Sequence, residues 1–190
     1  MRAIARCLIL AVGLAAAVPA LAAETIQSVG LTFPDQIAGF KLVKRTDFPQ
    51  KGLGVNVAYE RPGIFVRASV FVYDAGVSSI PSNLDAPVVR KHFDQIIDDV
   101  KSLERAGKVR VTMAGAGSQT TRFAGCGTQF LWRDYDMVLD GTTLKSGSYL
   151  TAVNNNFVKL RTSYRADAPE GQRDIDRFVA EISKFLARCK

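Results

Sequence analysis

The sequence predicts an α+β fold, an antiparallel β-sheet with a central and a C-terminal amphipathic helix packed on it. Three observations carry this expectation. Runs rich in β-branched and aromatic residues, several of them alternating apolar with polar at period two, fill most of the chain beyond residue 40. Two segments, 85–107 and 167–189, instead repeat apolar residues at helical steps. The order is strands, helix, strands, helix, without the regular strand–helix alternation of a parallel βαβ sheet.

The chain opens with a segment unlike the rest. Arg2 and Arg6 flank the start, residues 7–18 are apolar, and Ala20-Leu21-Ala22 forms an A-x-A pattern ahead of the first acid, Glu24. This is the layout of a cleaved secretory signal over 1–22, leaving one exported domain over 23–190. The apolar run is too short for the ~20 residues that a bilayer-spanning helix needs, and Pro19 ends it. Cys7 lies before the apolar run rather than after it, which argues against a lipidated cysteine. The expected location is the periplasm or the medium, with no transmembrane segment after cleavage.

Residues 23–33 read as a mixed leader, and 33–40 as a segment that docks onto the core. Strands are expected over 40–46, 54–60 and 64–73. In the second, Val55, Val57 and Tyr59 alternate with Asn56, Ala58 and Glu60, and Arg61-Pro62-Gly63 is a turn signal before the third. A loop over 74–84 leads to a helix with Asp85 as N-cap, Pro87 in its first turn and Gly107 just past its end. Its apolar stripe is Val89, Phe93, Ile96, Ile97, Val100 and Leu103. Strands follow over 109–113, 119–123, 127–135, 144–153 and 157–164. Asp140-Gly141 and Asn154-Asn155-Asn156 are the strongest turn signals, because these residues adopt positive φ most readily. Asp167-Ala168-Pro169 repeats Asp85-Ala86-Pro87 as a helix opening, and Ile175, Phe178, Val179, Ile182, Phe185, Leu186 and Cys189 form the last stripe.

Composition limits the chemistry. At 190 residues with 47% hydrophobic residues the chain can bury an ordinary core. A single histidine, His92, excludes any site needing two imidazoles from one chain, and no metal or cofactor is expected. The formal charge of +7 falls to about +5 once Arg2 and Arg6 are removed, and no dense basic tract points to nucleic acid, which is not expected as a partner. The nearest approach, Lys41-Leu42-Val43-Lys44-Arg45, reads either as a solvated strand edge or as a patch for anions.

Cys126 and Cys189 are the only cysteines left after signal removal, in a compartment that permits disulfides. A bridge between them is the leading reading; buried free thiols and a reactive pair are the alternatives. In Phe130-Leu131-Trp132-Arg133-Asp134-Tyr135, the residues Trp132, Arg133 and Tyr135 are either core or a partner-binding patch. His92 sits at the border of its helix stripe, where packing outweighs a role as base. Asp134, Asp136 and Asp140 lack a calcium loop, and Asp98-Asp99 point in different directions on a helix. Gly52-Leu53-Gly54 and Gly115-Ala116-Gly117 open no helix and read as turns, and Lys145-Ser146-Gly147-Ser148-Tyr149 departs from the nucleophile-elbow pattern at its first glycine. No catalytic residues are assigned.

The run from Phe33-Pro34 through Gly39-Phe40, the central helix, and the ending Phe157-Val158-Lys159-Leu160-Arg161-Thr162-Ser163-Tyr164 followed by an amphipathic helix together resemble the PsbP-like α/β/α sandwich superfamily. That group takes in exported bacterial proteins similar to periplasmic DcrB. A cystatin-like or helix-grip fold is the alternative. The resemblance implies a non-enzymatic accessory or protein-interaction role in the cell envelope and carries no functional residues onto this chain. The competing function is a small-molecule binding protein or hydrolase with a pocket between helix and sheet; the partner is an envelope protein or a small ligand.

Export itself is directly testable. Intact-mass analysis of protein recovered from periplasmic extract is expected to show loss of residues 1–22. A mature protein that retains them would exclude cleavage near Ala22.

Overall fold

Period-two alternation and helical stripes assemble, in the computed structural model, into one large antiparallel sheet with a helix on each face. The structure describes residues 23–107, 109–121 and 125–189; the leader expected over 1–22 lies outside them, as do residues 122–123 of the strand expected over 119–123. The strands are β1 (Glu24–Ile26), β2 (Leu31–Phe33), β3 (Gln36–Ile37), β4 (Phe40–Asp47), β5 (Val55–Glu60), β6 (Val66–Tyr73), β7 (Arg110–Met113), β8 (Gln119–Thr120), β9 (Leu131–Leu139), β10 (Thr142–Val153) and β11 (Asn156–Arg165). The helices are α1 (Pro87–Arg105) and α2 (Glu170–Leu186). The main sheet runs β3-β4-β5-β6-β11-β10-β9-β7, with β8 also paired to β9. Its ladders are all antiparallel. The α+β architecture expected from the sequence is the one observed.

Two-residue hairpins set the centre of the sheet. Asp140 and Gly141 both take positive φ, as do Asn154 and Asn155, which is the geometry of the turns that match strand twist. Leu139 therefore pairs directly with Thr142, and Val153 with Asn156. For the same reason β9 continues to Leu139, four residues past the expected end at Tyr135. Its start also differs, at Leu131 rather than 127, because residues just before it bind α2. The Thr128 N–H donates to the Ser183 carbonyl at 3.1 Å, and the Ser183 hydroxyl donates back to the Thr128 carbonyl at 2.8 Å.

The two helices lie on opposite faces and over different halves of the sheet. Ile175, Phe178, Val179 and Ile182 of α2 pack on Phe40, Val57, Tyr59, Val70 and Leu160. The Phe178 ring sits 4.8 Å from Phe40 and 5.4 Å from Tyr59. On the other face Val89, Phe93, Ile96 and Ile97 of α1 pack on Leu131, Leu150, Ala152 and Phe157, and Val100 on Val111, Tyr135 and Met137. So α1 covers the β10-β9-β7 half and α2 the β6-β11 half. No helix among the described residues is long and apolar enough to cross a membrane.

Three expectations need correction. Residues 23–33 form the β1-β2 hairpin rather than a mixed leader; Ile26, Val29, Leu31 and Phe33 are buried in the α2 core, with Phe33 edge-on to Phe185 at 5.0 Å. Asp85 does not cap α1. Ala86 is the N-cap residue without a side-chain bond, and the Asp85 carboxylate is drawn away to Arg90. Asp167 is likewise held by Arg165, and Pro169 precedes α2. A neighbouring guanidinium outcompetes backbone N–H groups for these carboxylates because both bonding partners are then charged.

Cys126 and Cys189 are joined, with Cα atoms 5.9 Å apart. The bridge ties the loop before β9 to the end of α2. Because it closes 63 residues of chain, the C126S/C189S variant is expected to lose up to about 4 kcal/mol of unfolding free energy. Urea unfolding of the oxidised protein against this variant measures it; equal midpoints would show that the bridge does not restrain the unfolded chain.

Candidate functional site

Because α2 stops at β11, a cleft opens between it and β9, floored by the same face of β10. Strand alternation selects what lines this trench: Trp132, Asp134 and Asp136 from β9, Lys145, Gly147 and Tyr149 from β10, Thr162 and Tyr164 from β11. Helix α2 adds Gln172, Asp176 and Val179, spaced four and three apart on one stripe. Gln119, Thr120 and Thr121, on and just after β8, form the outer wall. The cleft measures about 470 Å³ and continues into a narrower gap of about 250 Å³ between Asp134, Gly147, Thr162 and Tyr164.

Trp132 and Tyr149 face each other across β9 and β10 and stack, with centroids 6.2 Å apart and planes 15° from parallel. They make a flat aromatic wall. Asp134 lies beside it over the bare α-carbon of Gly147. A methyl group there would stand 2.9 Å from Asp134 Oδ1 and 3.1 Å from Thr162 Oγ1, so glycine is what leaves room for the carboxylate. Burial raises the Asp134 carboxyl to about 6, and repulsion from Asp176 and then Asp136 adds to it. Asp136 is different because it is neutralised by Lys145 Nζ at 2.7 Å.

Asp176 is placed by a chain of hydrogen bonds. The Tyr164 hydroxyl donates to Gln172 Oε1 at 2.8 Å, and Gln172 Nε2 donates to Asp176 Oδ1 at 2.8 Å. The Tyr164 ring reaches this position because Gly171 has no side chain; a Cβ there would overlap the ring at 2.3 Å. Burial first, then repulsion from Asp134 and Asp176, pushes the Tyr149 phenol up and keeps it protonated.

The expected patch of Trp132, Arg133 and Tyr135 is not one surface. The pleat sends Trp132 into the cleft and its two companions to the opposite face. Tyr135 is fully buried there, sharing a hydrogen bond with Ser148 Oγ at 3.1 Å, and offers nothing to a partner. Arg133 donates to the Gly115 carbonyl at 3.1 Å. His92 also lies on that face, stacked on Phe157 at 4.1 Å with Nε2 2.8 Å from the Tyr73 hydroxyl. Burial lowers its pKa, then Lys159 lowers it further against an opposing pull from Asp99. Asp98 pairs with Lys101 at 3.1 Å and Asp99 accepts from Gln95, so neither joins the cleft. Asp176, Gln172 and Tyr149 were not singled out by sequence; the one available signal was the polar pair four apart at the start of α2's stripe.

A second hollow of about 510 Å³ lies at the far end of the sheet, between Asn83, Thr120, Gln129, Thr151 and Asn154. Its one ionised group, Asp85, is already bound to Arg90.

No known family's sequence profile matches this chain, and no curated protein matches it. Among solved structures it is similar to the solution structure of cyanobacterial PsbP (CyanoP) from Synechocystis sp. PCC 6803, at 13% identity and a TM-score of 0.49, over 88% of this chain and 95% of that one.

The Asp134 carboxyl titrates above its ordinary 3.8 in the folded protein, so its contribution to stability is full below that value and is lost as pH rises through about 6. Replacing it with asparagine is expected to raise unfolding free energy by about 1 kcal/mol at roughly pH 7.5, after allowance for solvent screening, and to change nothing below about pH 3.5. Urea titrations at the two pH values check this. A wild type more stable than D134N at the higher pH would mean that the carboxylate has a partner in the fold.

Proposed function

We propose that this chain is an exported, non-enzymatic binding domain of the cell envelope, akin to periplasmic proteins of the DcrB sort, and that it engages its ligand through the cleft beside α2. One observation carries the reading: among the described residues no cation or hydrogen-bond donor acts on the half-buried carboxyl of Asp134, yet it stands beside a stacked aromatic wall in an open cleft. Such a group is an acceptor without a partner. A ligand with a donor or cationic head would pair with Asp134 and Asp176 while its body lies against Trp132 and Tyr149. The cleft volume falls within the range of small-molecule sites, and a single exposed side chain of an envelope protein fits the same description.

The non-enzymatic part rests on what surrounds the carboxyls. His92 is on the opposite face of the sheet, and Cys126 and Cys189 are bonded together, so neither a histidine base nor a thiolate reaches the cleft. A second reading has its own support, because Asp134 near 6 beside Asp176 is the kind of carboxyl pair that divides acid and base roles in hydrolysis.

Trp132 is the only tryptophan, which makes the cleft its own reporter. Titration with amines and quaternary ammonium compounds, each matched to a neutral isostere, is expected to change Trp132 fluorescence saturably for cations, with about tenfold weaker binding in D134A. No saturable response to any cation would exclude the cleft as a site for this class. Turnover of chromogenic esters or glycosides that D134N abolishes would replace the binding reading with the hydrolase one.

A further inference from the structure

The face that carries α1 has its own uncovered half. Helix α1 sits over β10, β9 and β7, its core reaching Phe71 and Tyr73 at the end of β6, and no described helix lies over the same face of β4, β5, the rest of β6 and the second half of β11. Ladder registers arrange that area in three rungs: Thr46, Asn56, Phe71 and Lys159; then Lys44, Ala58, Ser69 and Arg161; then Lys41, Glu60, Arg67 and Ser163. The middle rung is a shallow dish. Ala58 and Ser69 form its floor, with Lys44 at one end and Arg161 at the other, three strand spacings or about 14 Å apart along the backbone, and the Arg161 guanidinium leans away toward Met137 of β9.

The charges in these rungs are one-sided. Glu60 is the single acid, and Arg67 holds it at 2.9 Å. Among the described residues no carboxylate lies within ion-pair distance of Lys41, Lys44, Lys159 or Arg161. Lys159 instead rests its ammonium over the Phe71 ring at 4.4 Å and near the Tyr73 ring at 5.5 Å. Arg161 reaches only the Met137 sulfur at 3.8 Å. Burial and then Arg161 push the Lys159 ammonium down, against an opposing pull from Asp99. In the first rung, beside Phe71, Asn56 Oδ1 is buried with no hydrogen-bond partner among the described residues.

We infer that this face of β4, β5, β6 and β11 docks an acidic segment of a partner protein. Charge complementarity identifies the class, since four unneutralised cations surround a floor small enough to admit another chain. Asn56 narrows the choice. A peptide brings carboxylates for the cations and also main-chain N–H groups for the idle Asn56 oxygen, whereas lipid phosphate oxygens bring acceptors alone. The surface is on the other side of the sheet from the cleft, and the inference does not rest on what the cleft binds.

The test uses the mature protein and two probes, a short synthetic peptide alternating glutamate with alanine, and vesicles containing phosphatidylglycerol. The peptide is expected to bind saturably and more weakly as salt rises, and K44E/R161E is expected to weaken it by about tenfold or more. K51E/R177E makes the same change in net charge elsewhere on the surface and is expected to alter binding less than about twofold. If circular dichroism shows K44E/R161E unfolded, K44Q/R161Q takes its place with the same expectation. Equal losses in the face and control variants would overturn the inference in favour of non-specific attraction. Vesicle binding that the face variant abolishes, without peptide binding, would overturn it in favour of a membrane surface.

Discussion

The alternation of side chains along β10 is the constraint on which the rest of the structure depends. From Ser146 to Ala152 this strand is buried without interruption, so both of its faces are committed. Leu150 and Ala152 belong to the α1 core, while Tyr149 faces α2. A slip of one residue would send each set to the wrong helix, which makes register expensive to change. The Asp140-Gly141 and Asn154-Asn155 hairpins hold that register from both ends of the strand. Through it Gly147 meets Asp134 and Tyr149 meets Trp132, so the cleft's cradle and its aromatic wall follow from the same pairing as the core.

The cleft is only as wide as the position of α2 allows, and several restraints of different kinds set that position. Near its start, buried Asp174 pairs with Arg61 at 3.1 Å, and Arg61 also donates to the Gly39 carbonyl. A partly buried ion pair of this sort is weak evidence for net stability because both groups give up hydration. Its geometric effect is clearer, since it links the α2 backbone to the turn between β5 and β6. At the other end the reciprocal Ser183–Thr128 bonds and the Cys126–Cys189 bridge fix the helix to the segment before β9. Helix and strand β9, the two sides of the cleft, are therefore joined through the segment that precedes β9.

Local periodicity made much of this fold legible, and its failures share one cause. Strands 40–46 and 144–153, both helix stripes and both hairpin turns could be read because each signal lies within a dozen residues of chain. The β1-β2 hairpin could not, since strands of three residues are too short to show alternation and their burial is decided by Phe185, far along the sequence. Strand β9 looks short in sequence because Asp134 and Asp136 resemble strand-ending acids; they are tolerated because the cleft and Lys145 face them. Trp132, Arg133 and Tyr135 are neighbours in sequence and strangers in space for the plainest reason, the two-residue repeat of a strand. Asp176 and Gln172 meet Asp134 only through sheet order, which pairwise spacing does not encode.

Setting the two helices over opposite halves of the sheet has a further consequence for charge. Each helix covers the apolar residues of its own half, and what remains bare on each face is where polar residues replace apolar ones in the alternation. On the α2 face that remainder holds Asp134 and the Asp136–Lys145 pair, beside Asp176 of α2; on the α1 face it holds Lys41, Lys44, Lys159 and Arg161. The sheet thus carries acid on one side of one half and base on the other side of the other half. Neither group can neutralise the other, because the backbone of the sheet and two packed cores stand between them. A single offset in helix packing accordingly produces two separate surfaces of opposite sign from one continuous ladder of strands, and it does so without breaking the burial pattern that holds β10 in place.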